Sequence, residues 1–166
     1  MLRRAVELKR VSRRSFLIGA GISGLYATPG VRAGAGAAVA VLEACGEVFW
    51  CDREEDLDAV NAVSGNGPAY VFYFLEALEQ AGIDLGLAPP LARRLAYATF
   101  AGSVALAQKS TDPPATLRAN VTSKGGTTAR ALEVMNAAGV GAHFVDAVKA
   151  GAARAKELGD EIGAAS

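Results

Sequence analysis

The chain has 166 residues, 51% apolar and 20% charged, with Lys+Arg and Asp+Glu balanced at 17 each. That composition is globular and excludes a disordered chain. The absence of net charge or of a basic stripe gives no nucleic-acid footprint, and no apolar run reaches the ~18 residues that a membrane span needs. Two cysteines and one histidine cannot build a metal site.

Residues 1–14 are basic and without clear period. At their end Ser12-Arg13-Arg14-Ser15-Phe16-Leu17 has the layout of a twin-arginine export signal, with a Gly/Ala-rich stretch behind it. Gly19-Ala20-Gly21-Ile22-Ser23-Gly24 is a literal GxGxxG. A dinucleotide loop of that form needs a strand before it, a helix after it and an acid about 20 residues on. Here Pro29-Gly30 breaks any following helix, so residues 15–30 read as an extended segment and a turn. Ala33 to Cys45 reads as a short helix stopped by Gly46. Glu47 to Cys51 reads as a strand, β-branched and aromatic, whose pairing partner is missing. Cys45 and Cys51 fit no CxxC spacing and read as reduced, half-buried thiols.

From Asp52 onward the pattern is helical. Glu54 to Val63 is a helix with an acidic first turn. Pro68 opens the next, Ala69 to Ala81, which is apolar nearly all round and ends at Gly82. A helix without a polar face must be buried on all sides, which in a domain this small predicts a partner subunit. Pro89-Pro90 opens a helix to about Gln108, rich in alanine and suited to close packing. Thr111-Asp112 caps a short helix running through Val121. Thr127 to Ala137, closed by Gly139, and about Gly141 to Leu158 complete an all-α bundle of about six helices.

The strongest chemical candidate is Ser123-Lys124-Gly125-Gly126-Thr127-Thr128, two glycines and three hydroxyls ahead of a helix. Free first-turn amides and the helix dipole favour an anion there, and glycine permits close approach. A small carboxylate fits; a plain turn with Thr127 as helix cap is the equal alternative. The Gly65–Pro68 segment reads as a tight turn starting a helix. His143, in the first turn of the last helix, reads as a packing or surface residue. No nucleophile–base pair or carboxylate pair stands out, and hydride transfer needs none because a cofactor carries that chemistry.

Two stretches carry a family resemblance. Asp56 to Tyr70 (DLDAVNAVSGNGPAY) is similar to the "DAVTALSGSGPAY" segment of pyrroline-5-carboxylate reductases, and Pro114 to Asn136 (PATLRANVTSKGGTTARALEVMN) resembles their signature segment throughout. The resemblance covers about residues 16 to 160. It implies a mainly α fold: a helical dimerisation bundle of about six helices preceded by a short α/β remnant of a Rossmann domain. It divides the chain into an unmatched segment 1–14, a nucleotide-domain remnant 15–52 and a dimerisation and substrate-binding domain 53–166. It matches Leu17–Tyr26, the GxGxxG included, to a late segment of the cofactor domain, after the family's "MPNTP" stretch, so the phosphate-binding loop has no counterpart here. The expectation is a truncated or frame-disrupted product, or a mis-set start, inactive alone.

The implied activity is NADPH- or NADH-dependent reduction of 1-pyrroline-5-carboxylate to L-proline in the cytoplasm by a homodimer or an assembly of dimers. The implied substrate-binding residues are Ser123, Gly125, Gly126, Thr127 and Thr128, with no catalytic side chain assigned and no metal, nucleic acid or membrane involved. The sequence departs from the family at Asn66, usually serine, and at Lys124, usually proline. Other readings are a non-catalytic interaction module and an exported helical protein.

Overall fold

The structure, a computed structural model, describes residues 16–18, 25–27, 49–51, 53 and 56–164. The Ala33–Cys45 helix, the Gly19–Gly24 motif and residues 1–14 lie outside the described residues. Three short strands form one sheet: β1 Phe16–Ile18, β2 Leu25–Ala27 and β3 Phe49–Trp50, in the order β1-β2-β3. β1 and β2 are antiparallel, with Leu17 opposite Tyr26. β3 is parallel to β2, with Tyr26 opposite Phe49 and Ala27 opposite Trp50. The strand expected at 47–51 therefore has its partner within the chain. It is the segment Leu25–Ala27, whose three residues are too few to declare a strand by periodicity.

Six helices follow, as the patterning predicts: α1 Asp56–Val60, α2 Gly67–Asp84, α3 Pro89–Lys109, α4 Pro114–Asn120, α5 Thr127–Ala137 and α6 Val140–Ala164. The backbone groups into two compact units, residues 1–68 with 146–166, and residues 69–145.

In the first unit, α1 begins beside Arg53, whose guanidinium holds the Asp56 carboxylate at 2.6 Å. Leu57 is buried against Cys51, with Val60 packed on them. The expected continuous helix to Val63 instead widens into a π-turn, Asn61–Gly65, closed by the Asn66 N–H donating to the Asn61 carbonyl at 2.9 Å. The reason is local: the Asn61 side-chain oxygen lies over Gly65, where a β-carbon would collide with it. Farther on, α6 extends past the expected Leu158. Ion pairs one turn apart carry it, Arg154 to Glu157 at 2.9 Å and Lys156 to Asp160 at 2.8 Å, with Arg154 also reaching Glu161 at 3.0 Å.

In the second unit, α2 passes through Gly82 instead of ending there. It stops at Gly86, which takes φ +92°. The Leu87 N–H donates to the Gly82 carbonyl at 3.0 Å and the Gly86 N–H to that of Ile83 at 2.8 Å, the paired bonds of a Schellman cap. Gly82 is small for a different reason. A β-carbon there would stand 3.0 Å from the Ala92 β-carbon, so α2 and α3 cross at nearly backbone contact. Ala92 and Ala96 are the buried residues of α3. Arg93 braces the same hairpin with an ion pair to Glu79 at 2.9 Å. Tyr70 and Phe74 each meet Phe144 edge-on at 5.5 Å, joining α2 to the start of α6.

No residue of α2 is buried within the single chain. Phe72 and Tyr73 are 60% and 69% exposed, and on α3 Tyr97 is 54% exposed beside exposed Leu95 and Val104. Large apolar side chains left open in this number mark a surface made to be covered.

Candidate functional site

The Ser123–Thr128 turn follows α4. That helix is capped by Pro113 rather than by the expected Thr111-Asp112. The Asp112 N–H is instead taken up by the Ser110 hydroxyl at 3.0 Å, which leaves the ring of Pro113, with its preset φ, to enter the helix. At its far end the Thr122 hydroxyl donates to the Arg118 carbonyl at 2.6 Å and closes the last turn. The chain then reverses through Ser123–Gly126, with the Gly126 N–H donating to the Ser123 carbonyl at 3.0 Å.

Gly125 takes φ +70°, a left-handed conformation that only glycine adopts without strain. Gly126 precedes α5 with an extended backbone and serves as its N-cap without any side-chain hydrogen bond. Thr127 is thus not the cap; it is the first helical residue, and its hydroxyl makes no capping bond. The close neighbour of Gly126 is Ser123. A β-carbon on Gly126 would run into the Ser123 hydroxyl and approach the Ser123 carbonyl oxygen to 3.2 Å. The absence of a side chain at 126 therefore lets the Ser123 hydroxyl sit over the start of α5.

The first bond into α5 from outside is the Arg130 N–H donating to the Gly126 carbonyl at 3.2 Å. The amides of Thr127, Thr128 and Ala129 have no acceptor among the described residues. First-turn amides point out along the helix axis, where the dipole adds a partial positive charge. Ser123, Lys124, Gly125, Thr127 and Thr128 are all exposed, so this end is open to a ligand. Together they offer backbone donors, a hydroxyl and a lysine: the equipment for a small anion and for no covalent chemistry. The structure brings together Ser123 and Gly126 directly, and Gly125, Thr127 and Thr128 follow in the same turn.

Other candidates fall away from this turn or change character. His143 is exposed in the first turn of α6, its N–H bonded to the Gly139 carbonyl at 2.9 Å. Cys51 is buried beside Leu57, and among the described residues no group of acids, histidines and cysteines could hold a metal. The side-chain hydrogen bond from Arg53 holds the Asp56 carboxyl below its ordinary value. The Glu79 carboxylate raises Arg93, and the Glu157 carboxylate, with Glu161, raises Arg154. All three belong to surface ion pairs of a kind that serves helix geometry rather than catalysis. The π-turn at Asn61–Gly65 is the feature that residue patterning missed. Its signal is an asparagine four residues before a glycine, which an apolar-period count does not register.

Comparison with known proteins gives these observations a lineage. The family model for pyrroline-5-carboxylate reductase dimerisation matches residues 54–158. The Pseudomonas aeruginosa pyrroline-5-carboxylate reductase is 41% identical over 148 residues, covering 89% of this chain and 54% of that protein. The Corynebacterium melassecola enzyme is 42% identical over 106 residues, 64% of this chain and 39% of that one. The chain thus spans about half the length, or less, of these relatives. Among solved structures, the Plasmodium falciparum pyrroline carboxylate reductase with NADP bound superposes at a TM-score of 0.76 with 32% identity, covering 82% of this chain and 56% of that one. A pyrroline-5-carboxylate reductase from Coxiella burnetii gives 0.73 with 36% identity over 81% of this chain and 50% of that one.

Proposed function

The chain belongs to the pyrroline-5-carboxylate reductase family, and on that premise we propose that it serves the NAD(P)H-dependent reduction of 1-pyrroline-5-carboxylate to L-proline, the last step of proline synthesis. Its part is to hold the substrate carboxylate and to join subunits. The carboxylate lies against the amides of Thr127 and Thr128, with the Ser123 and Thr128 hydroxyls donating to it; the Gly126 N–H, which the resemblance also assigns to the substrate, is here given to the Ser123 carbonyl at 3.0 Å. Gly125 supplies the left-handed turn that brings Ser123 back over the helix start. The observation that carries this reading is the set of first-turn amides without an acceptor among the described residues, at the end of α5 where the Ser123 hydroxyl also sits.

The nicotinamide cofactor, NADPH or NADH, supplies the hydride when bound. The described residues contain no strand-to-helix glycine turn of the kind that holds a dinucleotide pyrophosphate. What the chain's own residues do is orientation: a carboxylate fixed by backbone donors sets the ring, and positioning of that kind accounts for much of the acceleration in such reactions.

Two subunits associate through the apolar faces of α2 and α3, around Phe72, Tyr73 and Tyr97, and dimers assemble further. The work is cytoplasmic, where reduced nicotinamide cofactors are kept. Among the described residues no helix is long and apolar enough to cross a membrane. Finding the mature N-terminus near residue 35 outside the cytoplasm would support the twin-arginine alternative instead.

The test is a titration of the purified full chain with cyclopentanecarboxylate, a ring carboxylate of the substrate's size, followed by amide NMR beside sedimentation. Saturable shifts at Gly126, Thr127 and Thr128 in a dimer are expected. Shifts elsewhere, or a monomer at micromolar concentration, would refute the assignment. NADPH oxidation with 1-pyrroline-5-carboxylate on the same sample reads whether residues 1–52 hold nucleotide.

A further inference from the structure

Lys124 stands inside the turn, one residue before the left-handed Gly125, and is exposed. The family resemblance places proline at this position, so the cation is a property of this chain. No carboxylate pairs with Lys124 among the described residues. The nearest acid along α5, Glu133, is already held by Arg130 at 2.6 Å. The preceding helix contributes another cation, Arg118, and no acid, in Pro114–Asn120. Among the described residues the turn therefore carries a positive charge held in no ion pair, in addition to the partial charge of the α5 amides.

We propose that Lys124 is a specificity-determining residue that makes this turn prefer a ligand of net negative charge over a zwitterion. The inference rests on the carboxylate reading of the turn. A ring carboxylate without a positive nitrogen gains from the ammonium of Lys124. L-Proline, whose carboxylate carries a positive ring nitrogen beside it, gains on one atom and loses on the other. The reduction proposed above creates such a nitrogen, so the lysine favours the entering anion over the departing product. An exposed lysine on a flexible stem acts at solvent-screened range, and an effect of about 2- to 5-fold in affinity is what such a charge supplies at low salt. It fades as the screening length shrinks to ~3 Å near 1 M salt.

The experiment measures dissociation constants of cyclopentanecarboxylate and of L-proline by amide NMR on the full chain, for wild type, Lys124→Gln and Lys124→Arg, at low and at high salt. At low salt Lys124→Gln should weaken cyclopentanecarboxylate by about 2- to 5-fold and leave L-proline nearly unchanged. Lys124→Arg should keep the wild-type preference, and high salt should bring all three proteins together. If both ligands bind at Gly126–Thr128 with the same affinity ratio in wild type and Lys124→Gln, the inference is wrong while the carboxylate reading stands. If neither ligand moves those amides in any variant at any salt, the reading fails and the inference with it.

Discussion

Replacing Gly126 with alanine separates the turn's chemistry from its folding. At Gly126 the backbone is extended, so alanine is conformationally acceptable, but its β-carbon meets the Ser123 hydroxyl and comes within 3.2 Å of the Ser123 carbonyl oxygen. The hydroxyl can rotate away and the carbonyl needs to yield by only a few tenths of an ångström, so stability should fall by less than about 1 kcal/mol. Binding should suffer more. A hydroxyl bond to a carboxylate contributes roughly 1.5–3 kcal/mol, so its loss weakens the ligand about 10-fold or more. Gly125→Ala provides the contrast. Nothing lies within 4 Å of its added β-carbon, but its φ of +70° makes the substitution cost about 1–2 kcal/mol in backbone strain. The assay pairs thermal melting with cyclopentanecarboxylate titration for both variants and for Ser123→Ala. Adding Gly126→Ala to Ser123→Ala should cost little further affinity, since both remove the same hydroxyl. Wild-type affinity in Gly126→Ala would refute the reasoning, because it would mean that the Ser123 hydroxyl takes no part.

Gly82→Ala should destabilise the α2–α3 hairpin by roughly 1–3 kcal/mol, as overpacking does, because its β-carbon would stand 3.0 Å from that of Ala92; urea unfolding reads this, and an unchanged midpoint would contradict the close crossing. Tyr73→Glu or Phe72→Glu, on side chains 69% and 60% exposed, should leave the fold intact by circular dichroism yet shift sedimentation toward monomer at micromolar concentration. The Asp56 carboxyl is held below its ordinary value of 3.8 by Arg53, so its stabilising contribution is present above that pH and is lost as pH falls through the lowered value. Arg53→Ala should remove that low-pH dependence, seen as a flatter melting temperature as pH falls below the ordinary carboxyl value of 3.8.

The helices were legible in the residues because prolines open them and periodic apolar positions fill them. Pro89-Pro90 and Pro113-Pro114 set two starts, and Gly139 at φ +66° closes α5 as expected. Gly82 misled because a glycine near a helix end has two uses, a left-handed stop or a close approach. Only the partner helix, through Ala92, distinguishes them, and Gly86 two residues past the true end carries no periodic signal. The pairing of Phe49–Trp50 with Leu25–Ala27 was hidden for a related reason, since parallel partners lie far apart in sequence. The turn at Ser123–Gly126 was readable as an anion cradle from composition. That Thr127 is not its cap, and that Ser123 folds back over Gly126, follow from the backbone path of the turn, which residue types alone do not fix.

The hairpin of α2 and α3 reverses the usual distribution of size. Gly82 and Ala92 meet across it and Ala96 is buried, while Phe72, Tyr73 and Tyr97 face outward. A subunit arranged this way draws little of its stability from its own interior, so whatever covers its aromatic residues becomes a term in its folding equilibrium. Mass action then acts on the fold itself: dilution loosens it, crowding by its own kind tightens it, and its melting temperature is a function of how much of it is present.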